Sequence, residues 1–183
     1  HAEIPGEGGL SHTLMLGNIR HEDGTAWACC PRNFLQRALT ALEHEFGLMI
    51  LSVFEQEFTY TGVDDLPGSS YAFSLYRRSG SLGPIITAAL RQAGIEPDSF
   101  IAEAGARQFE VTVSPRPGMA SADEAVFLRE IVRGCAAAQG HRACFTPIME
   151  PDGIGNGTHI HFSLRDLAGQ PVTHDAAGPL GLS

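Results

Sequence analysis

Residues 48–60, Leu-Met-Ile-Leu-Ser-Val-Phe-Glu-Gln-Glu-Phe-Thr-Tyr, are the stretch that most clearly decides the fold. The first half is apolar, and the second half alternates between polar and aromatic side chains. Such alternation is typical of a β-strand, in which successive side chains point to opposite faces. We therefore expect a strand over 48–60 that carries Glu55 and Glu57 on one face.

Helical patterns lie on both sides of this strand in the sequence. Apolar residues recur every three or four positions from Pro31 to Phe46, and Gly47 follows as a typical residue after a helix end. Further along, Ser121 and Glu124 form a capping box, in which each side chain satisfies a free N–H group at a helix start. The predicted helices cover residues 31–46, 81–93 and 121 to about 139.

Three further strands are predicted in the second half of the chain. One covers residues 100–114, and two others cover 142–147 and 157–165. Because the segment between the last two is rich in turn-forming residues, we expect them to form a hairpin. Helices and strands together predict an α+β fold.

The length and charge of the chain restrict its class. A chain of 183 residues suffices for one domain with a substantial core. The formal net charge of -9, without a basic stripe, disfavours nucleic acid as a partner. No apolar run approaches the roughly 20 residues of a membrane span, so we expect no membrane association.

The cysteines and the first residue bear on the protein's location. The four cysteines lack CxxC spacing, and the neighbours Cys29 and Cys30 are poorly placed for a mutual disulfide. Reduced thiols and a cytoplasmic location are therefore expected. The sequence begins at His1 without a signal-peptide pattern, which we interpret as an excised segment.

Two pairs of glutamates are candidate metal ligands. Glu55 and Glu57 share a strand face, and two adjacent like charges need a cation or water. Glu103 and Glu110 flank a Gly-containing segment, where a bulge or loop allows their carboxylates to converge. For each pair taken alone, a solvated surface remains the more common alternative.

Residues 155–164, Gly-Asn-Gly-Thr-His-Ile-His-Phe-Ser-Leu, add nitrogen ligands. The strand period places His159, His161 and Ser163 on one face. A pair of ordinary hydrogen-bonding histidines is an equally good interpretation of this segment alone. Four carboxylates with one or two imidazoles suit Mg²⁺ or Mn²⁺ better than structural zinc.

Five segments occur in a characteristic order: 30–32 (Cys-Pro-Arg), 54–58 (Phe-Glu-Gln-Glu-Phe), 103–110 (Glu through Gln to Glu), 145–147 (Phe-Thr-Pro) and 155–164. Taken together, they resemble the catalytic domain of the glutamine synthetase family. The resemblance extends from about residue 16 onward and implies a curved antiparallel sheet with packed helices. It divides the chain into a remnant of a linker or N-terminal region at 1–20 and a partial, truncated catalytic domain at 21–183.

The resemblance also implies a role for each candidate residue. Glu57, Glu103 and Glu110 would hold the metal on the glutamate side. Glu55 and His159 would hold the metal that bridges the nucleotide phosphates. The backbone of Gly155 would contact bound glutamate, and His161 and Ser163 would lie near ATP.

The activity implied by the resemblance is an ATP-dependent ligation. A phosphoryl group passes from ATP to glutamate, and ammonia or another amine then attacks the γ-glutamyl phosphate. Mg²⁺ or Mn²⁺ and ATP are the implied cofactor and co-substrate, and the full-length protein is expected to be a homo-oligomer whose sites form between subunits. The acceptor amine stays open.

Some positions depart from the family pattern. Arg107, Ile148 and Ile154 stand where the family usually has Gly, Lys and Asn, which leaves substrate preference open. The family's downstream arginines and glutamate flap would follow Ser183. One alternative is therefore a non-catalytic metal- or nucleotide-binding relative. Another is an unrelated metal-dependent hydrolase with an HxH strand, which leaves the ordered matches unexplained.

Overall fold

The computed structural model describes residues 1–5, 11–64 and 71–182. Helices and antiparallel strands together form an α+β fold, as predicted. The chain divides into two compact units, which we describe separately. The first unit comprises His1–Met15, Phe54–Ser114 and Glu124–Ile160; the second comprises Leu16–Val53, Pro115–Asp123 and His161–Ser183.

The secondary structure is as follows. The strands are β1 (Ala2–Pro5), β2 (Ser11–Leu14), β3 (Leu48–Tyr60), β4 (Pro97–Ala102), β5 (Gln108–Val113), β6 (Arg116–Pro117), β7 (Ala143–Cys144) and β8 (Thr158–Asp166). The α-helices are α1 (Pro31–Phe46), α2 (Phe73–Arg78), α3 (Leu82–Gln92) and α4 (Met119–Ala138), and a short 3-10 turn covers Pro179–Gly181.

Antiparallel pairing organises the first unit. Strand β5 lies between β4 and β3, and its six residues are all buried. Strand β7 pairs with the end of β3, where Thr59 lies opposite Cys144. This arrangement places the second half of β3 in the interior, with one polar and one aromatic face.

An aromatic cluster supports the sheet of the first unit. The ring of Phe58 lies 6.3 Å from Phe109 and 5.4 Å from Phe145, and the rings of Phe100 and Phe109 stack at 5.5 Å. Helix α3 approaches this cluster at Gly83, where an added Cβ would lie 2.7 Å from the Phe100 ring. Such dense aromatic packing holds β3, β4 and β5 in fixed positions relative to one another.

Helix α1 is the main helix of the second unit. It begins at Pro31, whose fixed φ suits a first helical residue, and Gly47 follows it in the left-handed conformation at φ 65°. Near its start, Arg32 donates two hydrogen bonds to the carboxylate of Asp123, at 3.0 and 2.8 Å. A bidentate pair of this kind fixes the orientation of both side chains.

Several predicted elements are confirmed, and three predictions are wrong. The helix over 31–46 and the strand over 48–60 match α1 and β3, and the helix predicted at 81–93 matches α3. The single strand predicted over 100–114 is instead two antiparallel strands, β4 and β5, because the chain reverses at 103–107.

The other two errors concern α4 and the last strands. Helix α4 begins at Met119, so Ser121 lies inside it and is not a capping residue. The predicted hairpin is wrong because β7 and β8 each pair with β3. The turn-rich segment therefore connects two strands that both pair with β3.

Three further sequence expectations concern the ends and the chemistry of the chain. Residues 1–15 belong to the first unit, while the division at residue 20 stays a prediction. All four cysteines are free thiols. Within the described ranges 1–5, 11–64 and 71–182, no helix combines the length and apolar character needed to cross a membrane.

Candidate metal centre

Glu57 and Glu110 form the centre of an acidic cluster in the first unit. They occupy directly opposite positions in the β3–β5 pair. Glu57 is only 8% exposed and Glu110 only 7%, so neither lies on a solvated strand face. Like charges directly opposite each other destabilise a sheet, and burial increases the cost. A bound cation would remove this repulsion.

Glu55 and His159 lie beside this pair. His159 Nδ1 is 3.6 Å from Glu55 Oε2 and 3.6 Å from Glu57 Oε1, which confirms that both glutamates of β3 point the same way. One donor atom from each of Glu55, Glu110 and His159 lies within 4.8 Å of the others. Such spacing allows three side chains to reach one ion.

Glu103 joins the cluster from the turn between β4 and β5. Glu103 is 8% exposed, and its Oε2 accepts a hydrogen bond from the backbone N–H of Ala104 at 3.2 Å. Burial raises the pKa of Glu103, and the negative charge of Glu57 adds to this effect. The Tyr71 hydroxyl donates to Glu103, and the nearby carboxylates, Glu103 foremost, raise the pKa of Tyr71.

Glu110 shows the strongest electrostatic effect in the cluster. Burial raises the pKa of this carboxyl to about 7, and the charges of Glu55, Glu103 and Glu57 contribute in that order. A proton or a metal ion would compensate the same excess of negative charge. A cation at this position would therefore offset the charge of all four carboxylates.

Gln108 connects the strands of the cluster. Its Nε2 donates to Glu57 Oε2 at 2.7 Å, to the carbonyl of Gly155 at 2.8 Å and to Asn156 Oδ1 at 3.2 Å. Its Oε1 accepts from the N–H of Gly105 at 2.9 Å. The side chain thus fixes one oxygen of Glu57 and leaves Oε1 directed towards His159.

Asn156 holds the segment before β8 against the rest of the site. This residue is 9% exposed, its N–H donates to the carbonyl of Pro147 at 2.8 Å, and its Nδ2 donates to that of Thr146 at 2.9 Å. The N–H of the next residue, Gly157, donates to Glu57 Oε2 at 2.9 Å. These bonds position His159 relative to the glutamates.

Two glycines in this segment are required by space. A Cβ at Gly157 would lie 2.7 Å from Glu57 Oε1 and 3.0 Å from the His159 ring, and a Cβ at Gly155 would lie 2.7 Å from the carbonyl oxygen of Pro147. All three distances are shorter than van der Waals contact. A side chain at Gly155 would collide with backbone, and one at Gly157 would displace the carboxylate of Glu57 or the ring of His159.

The structure brings together all five residues predicted as metal ligands. Their division into two sets of ligands stays a prediction, since Glu110 groups with Glu55 and His159 by distance. The carbonyl of Gly155 accepts from Gln108, and its contact with glutamate also stays a prediction. The predicted ATP contacts, His161 and Ser163, continue β8 in the second unit.

Sequence reasoning missed three residues of the site. Gln108 appeared only as a member of the acidic motif, Asn156 as part of a turn, and Tyr71 not at all. An amide between two glutamates in an apolar strand is a usable signal for Gln108, because a buried amide requires partners. No comparable local signal marks Asn156 or Tyr71.

The donor set fits a hard divalent cation. Carboxylate oxygens with one imidazole nitrogen are ligands that Mg²⁺ and Mn²⁺ accept, and the cluster contains no cysteine among the described residues. The residues present are thus consistent with the metal chemistry expected from the sequence.

Comparison with known proteins identifies the family of this chain. The sequence model of the glutamine synthetase catalytic domain matches residues 28–183. The chain is 31% identical to type-1 glutamine synthetase 1 of Dictyostelium discoideum, over 94% of the chain and 39% of that relative. It is 27% identical to a glutamate–isopropylamine ligase of a Pseudomonas species, over 92% of the chain and 40% of that relative.

Solved structures agree with these matches. A crystal structure described as a novel glutamine synthase homolog superposes with a TM-score of 0.92 at 34% identity, over all of this chain and 43% of that one. A glutamine synthetase of Plasmodium falciparum, at 18% identity and a TM-score of 0.76, shows the same fold over 91% of this chain and 40% of its own. The chain spans about 40% of the length of these proteins. On the family match over residues 28–183, the chain belongs to the glutamine synthetase family, within its catalytic domain.

Proposed function

We propose that the protein carrying this chain is an ATP-dependent ligase that joins ammonia or an amine to the γ-carboxylate of glutamate. The observation that supports this most directly is the convergence of four glutamates and His159 around the buried Glu57–Glu110 pair. The names of the relatives, which include glutamine synthetase and glutamate–isopropylamine ligase, describe the same bond. They differ in the amine, which we leave open.

The proposed cofactor is Mg²⁺ or Mn²⁺, held by Glu55, Glu57, Glu103, Glu110 and His159. Such ions, when bound, neutralise phosphate oxygens during phosphoryl transfer from ATP to glutamate. The protein's own contribution is orientation, because Gln108 and the Gly157 N–H fix Glu57 Oε2. Gly155 is proposed to contact glutamate, and His161 and Ser163 to contact ATP.

The proposal also covers the location and assembly of the protein and the part of the family domain that the chain represents. We propose a cytoplasmic homo-oligomer, without nucleic-acid or membrane partners. Residues 21–183 are proposed to be part of the catalytic domain, and 1–20 a linker or N-terminal remnant.

Calorimetric titration with Mg²⁺ or Mn²⁺, with and without ATP, tests the site. We expect binding that increases with ATP and that is lost in Glu57→Ala and His159→Ala. Glu43→Ala, on the exposed surface of α1, serves as the control. Equal binding in all variants would refute the site.

Assays of the same protein with ATP, glutamate and a panel of amines test the reaction. Phosphate release that depends on both glutamate and an amine supports the ligase. Intact metal binding without any amine-dependent turnover would instead favour the non-catalytic alternative.

A further inference from the structure

A cavity on the first unit is lined by cationic side chains instead of acidic ones. Its volume is about 490 Å³, within the roughly 300–1,000 Å³ of small-molecule sites. No aspartate or glutamate of the described residues lines it. We call it the arginine pocket and define it by Arg129, Arg133, His141, Arg142 and Cys144.

The charge of the arginine pocket contrasts with that of the chain. The sequence has 21 acidic against 12 basic residues, and every basic residue is an arginine. Three of those arginines line this single cavity. Like charges brought together repel, and a bound anion compensates them most directly.

Two of the arginines are held in place by one aromatic ring. The guanidinium carbons of Arg129 and Arg133 lie 5.2 and 5.3 Å from the centre of the Phe145 ring, which is itself buried. Cation–π contacts of this kind restrict a guanidinium without using its N–H donors. Arg133 Nη1 also donates to Glu130, three residues earlier on α4, so an ion pair and a cation–π contact together restrict its guanidinium. The remaining N–H groups of both arginines can donate to a ligand.

Hydrogen bonds further order Arg129. Its Nε donates to the buried Gln56 Oε1 at 2.9 Å, and its Nη2 lies 3.4 Å from Thr158 Oγ1. Gln56 stands between the two glutamates of β3 and points to the opposite face of the strand. The arginine pocket and the acidic cluster therefore lie on opposite faces of β3.

The Cys144 thiol lies in the lining of the arginine pocket. Hydrogen bonds with Thr146 lower its pKa most, and the positive charge of Arg133 lowers it further. Cys144 therefore provides a thiol in this lining whose accessibility a bound ligand would change.

We propose that the arginine pocket binds a small polyvalent oxyanion, a molecule that carries phosphate or carboxylate groups. Guanidinium groups bind both kinds of group through paired N–H donors, so the geometry defines the shared chemistry. The site is separate from the acidic cluster and does not depend on the proposed ligase activity. Its ligand needs no divalent cation, because the arginines supply the positive charge.

Titration of the metal-free protein with pyrophosphate and with citrate tests the proposal. Calorimetry should show saturable binding that weakens with added salt, and the tighter of the two anions identifies the preferred group. Arg133→Gln should raise the dissociation constant at least tenfold. Arg91→Gln is the matched control, because Arg91 is also exposed and also pairs with a glutamate, Glu96.

Protection of Cys144 provides a second measurement that needs no arginine variant. In a Cys29→Ser background the other two thiols are buried, so iodoacetamide should report on Cys144. Each anion that binds should slow this alkylation in proportion to occupancy. An unchanged labelling rate, no saturable binding, or equal losses in Arg133→Gln and Arg91→Gln would each overturn the proposal.

Discussion

Glu57 and Glu110 occupy directly opposite positions in the β3–β5 pair, and both are buried. Burial and the neighbouring carboxylates raise the pKa of Glu110 to about 7, whereas the ordinary value is 4.5. The folded protein therefore retains a proton that the unfolded chain releases. The resulting stabilisation is fully present below pH 4.5 and is lost as the pH rises through 7.

We therefore predict that Glu110→Gln changes the pH dependence of stability in the metal-free protein. The free energy of unfolding of the unmodified protein should fall between pH 5 and pH 8. In the variant this fall should be smaller by about 1–3 kcal/mol. Urea titrations with a chelator at both pH values measure this difference. Glu43→Gln, on the exposed surface of α1, should behave like the unmodified protein; a Glu110→Gln profile that does the same would contradict the assignment.

Gly157→Ala should reduce divalent-cation binding while the protein remains folded. The added methyl group would lie 2.7 Å from Glu57 Oε1, the oxygen that Gln108 leaves available. We expect at least a tenfold loss of Mn²⁺ affinity, about 1.4 kcal/mol. Calorimetry measures the affinity, and circular dichroism checks the fold. Gly17→Ala is the control, since nothing lies within 4 Å of its added Cβ; unchanged affinity in Gly157→Ala would count against a metal beside Glu57.

Gln108→Ala should destabilise the protein by about 2–4 kcal/mol, because Glu57, the Gly155 carbonyl and Asn156 each lose the hydrogen bond that Gln108 donates. Urea denaturation measures the loss. An exposed glutamine on α1, Gln36, provides the matched alanine control, for which we expect little change. A similar midpoint for both variants would show that Gln108 does not connect the strands.

Divalent cations should stabilise the folded protein through the acidic cluster. At a concentration 100 times the dissociation constant, the expected gain is about 2.7 kcal/mol. Chelation should reverse it, and thermal melting with and without Mn²⁺ measures it. Glu57→Ala and Glu110→Ala should abolish the shift, whereas Glu43→Ala should retain it. A shift of equal size in all three variants would point to binding elsewhere.

The sequence predicts those helices and strands whose side-chain pattern lies within a single segment. Strand β3 and helix α1 follow from side-chain periodicity within a single segment, and both are confirmed at their predicted positions. The reversal at 103–107 has weaker signals, because Ala104 and Ala106 favour no turn. Gly105 alone predicts a bulge or loop within one strand, whereas the structure has a full reversal between two strands.

The hydrogen bonds within the site cannot be predicted from side-chain periodicity. Gln108 contacts Glu57, which is 51 residues away, and Asn156, which is 48 residues away. Periodicity identified the acidic residues and their shared faces, yet it cannot specify which distant backbone groups will satisfy a buried amide. That information comes from the tertiary packing of β3, β5 and the segment before β8.

The hydrogen bond from the Gly157 N–H to Glu57 joins residues 100 positions apart. Closing so long a loop requires a large loss of chain entropy before the contact forms, and long-range contacts slow folding. We expect β3 and β5 to pair before the segment that carries His159 docks. During synthesis, all four glutamates therefore emerge before His159, and we expect a nascent chain that ends before residue 157 to bind the proposed ion more weakly than the finished chain does.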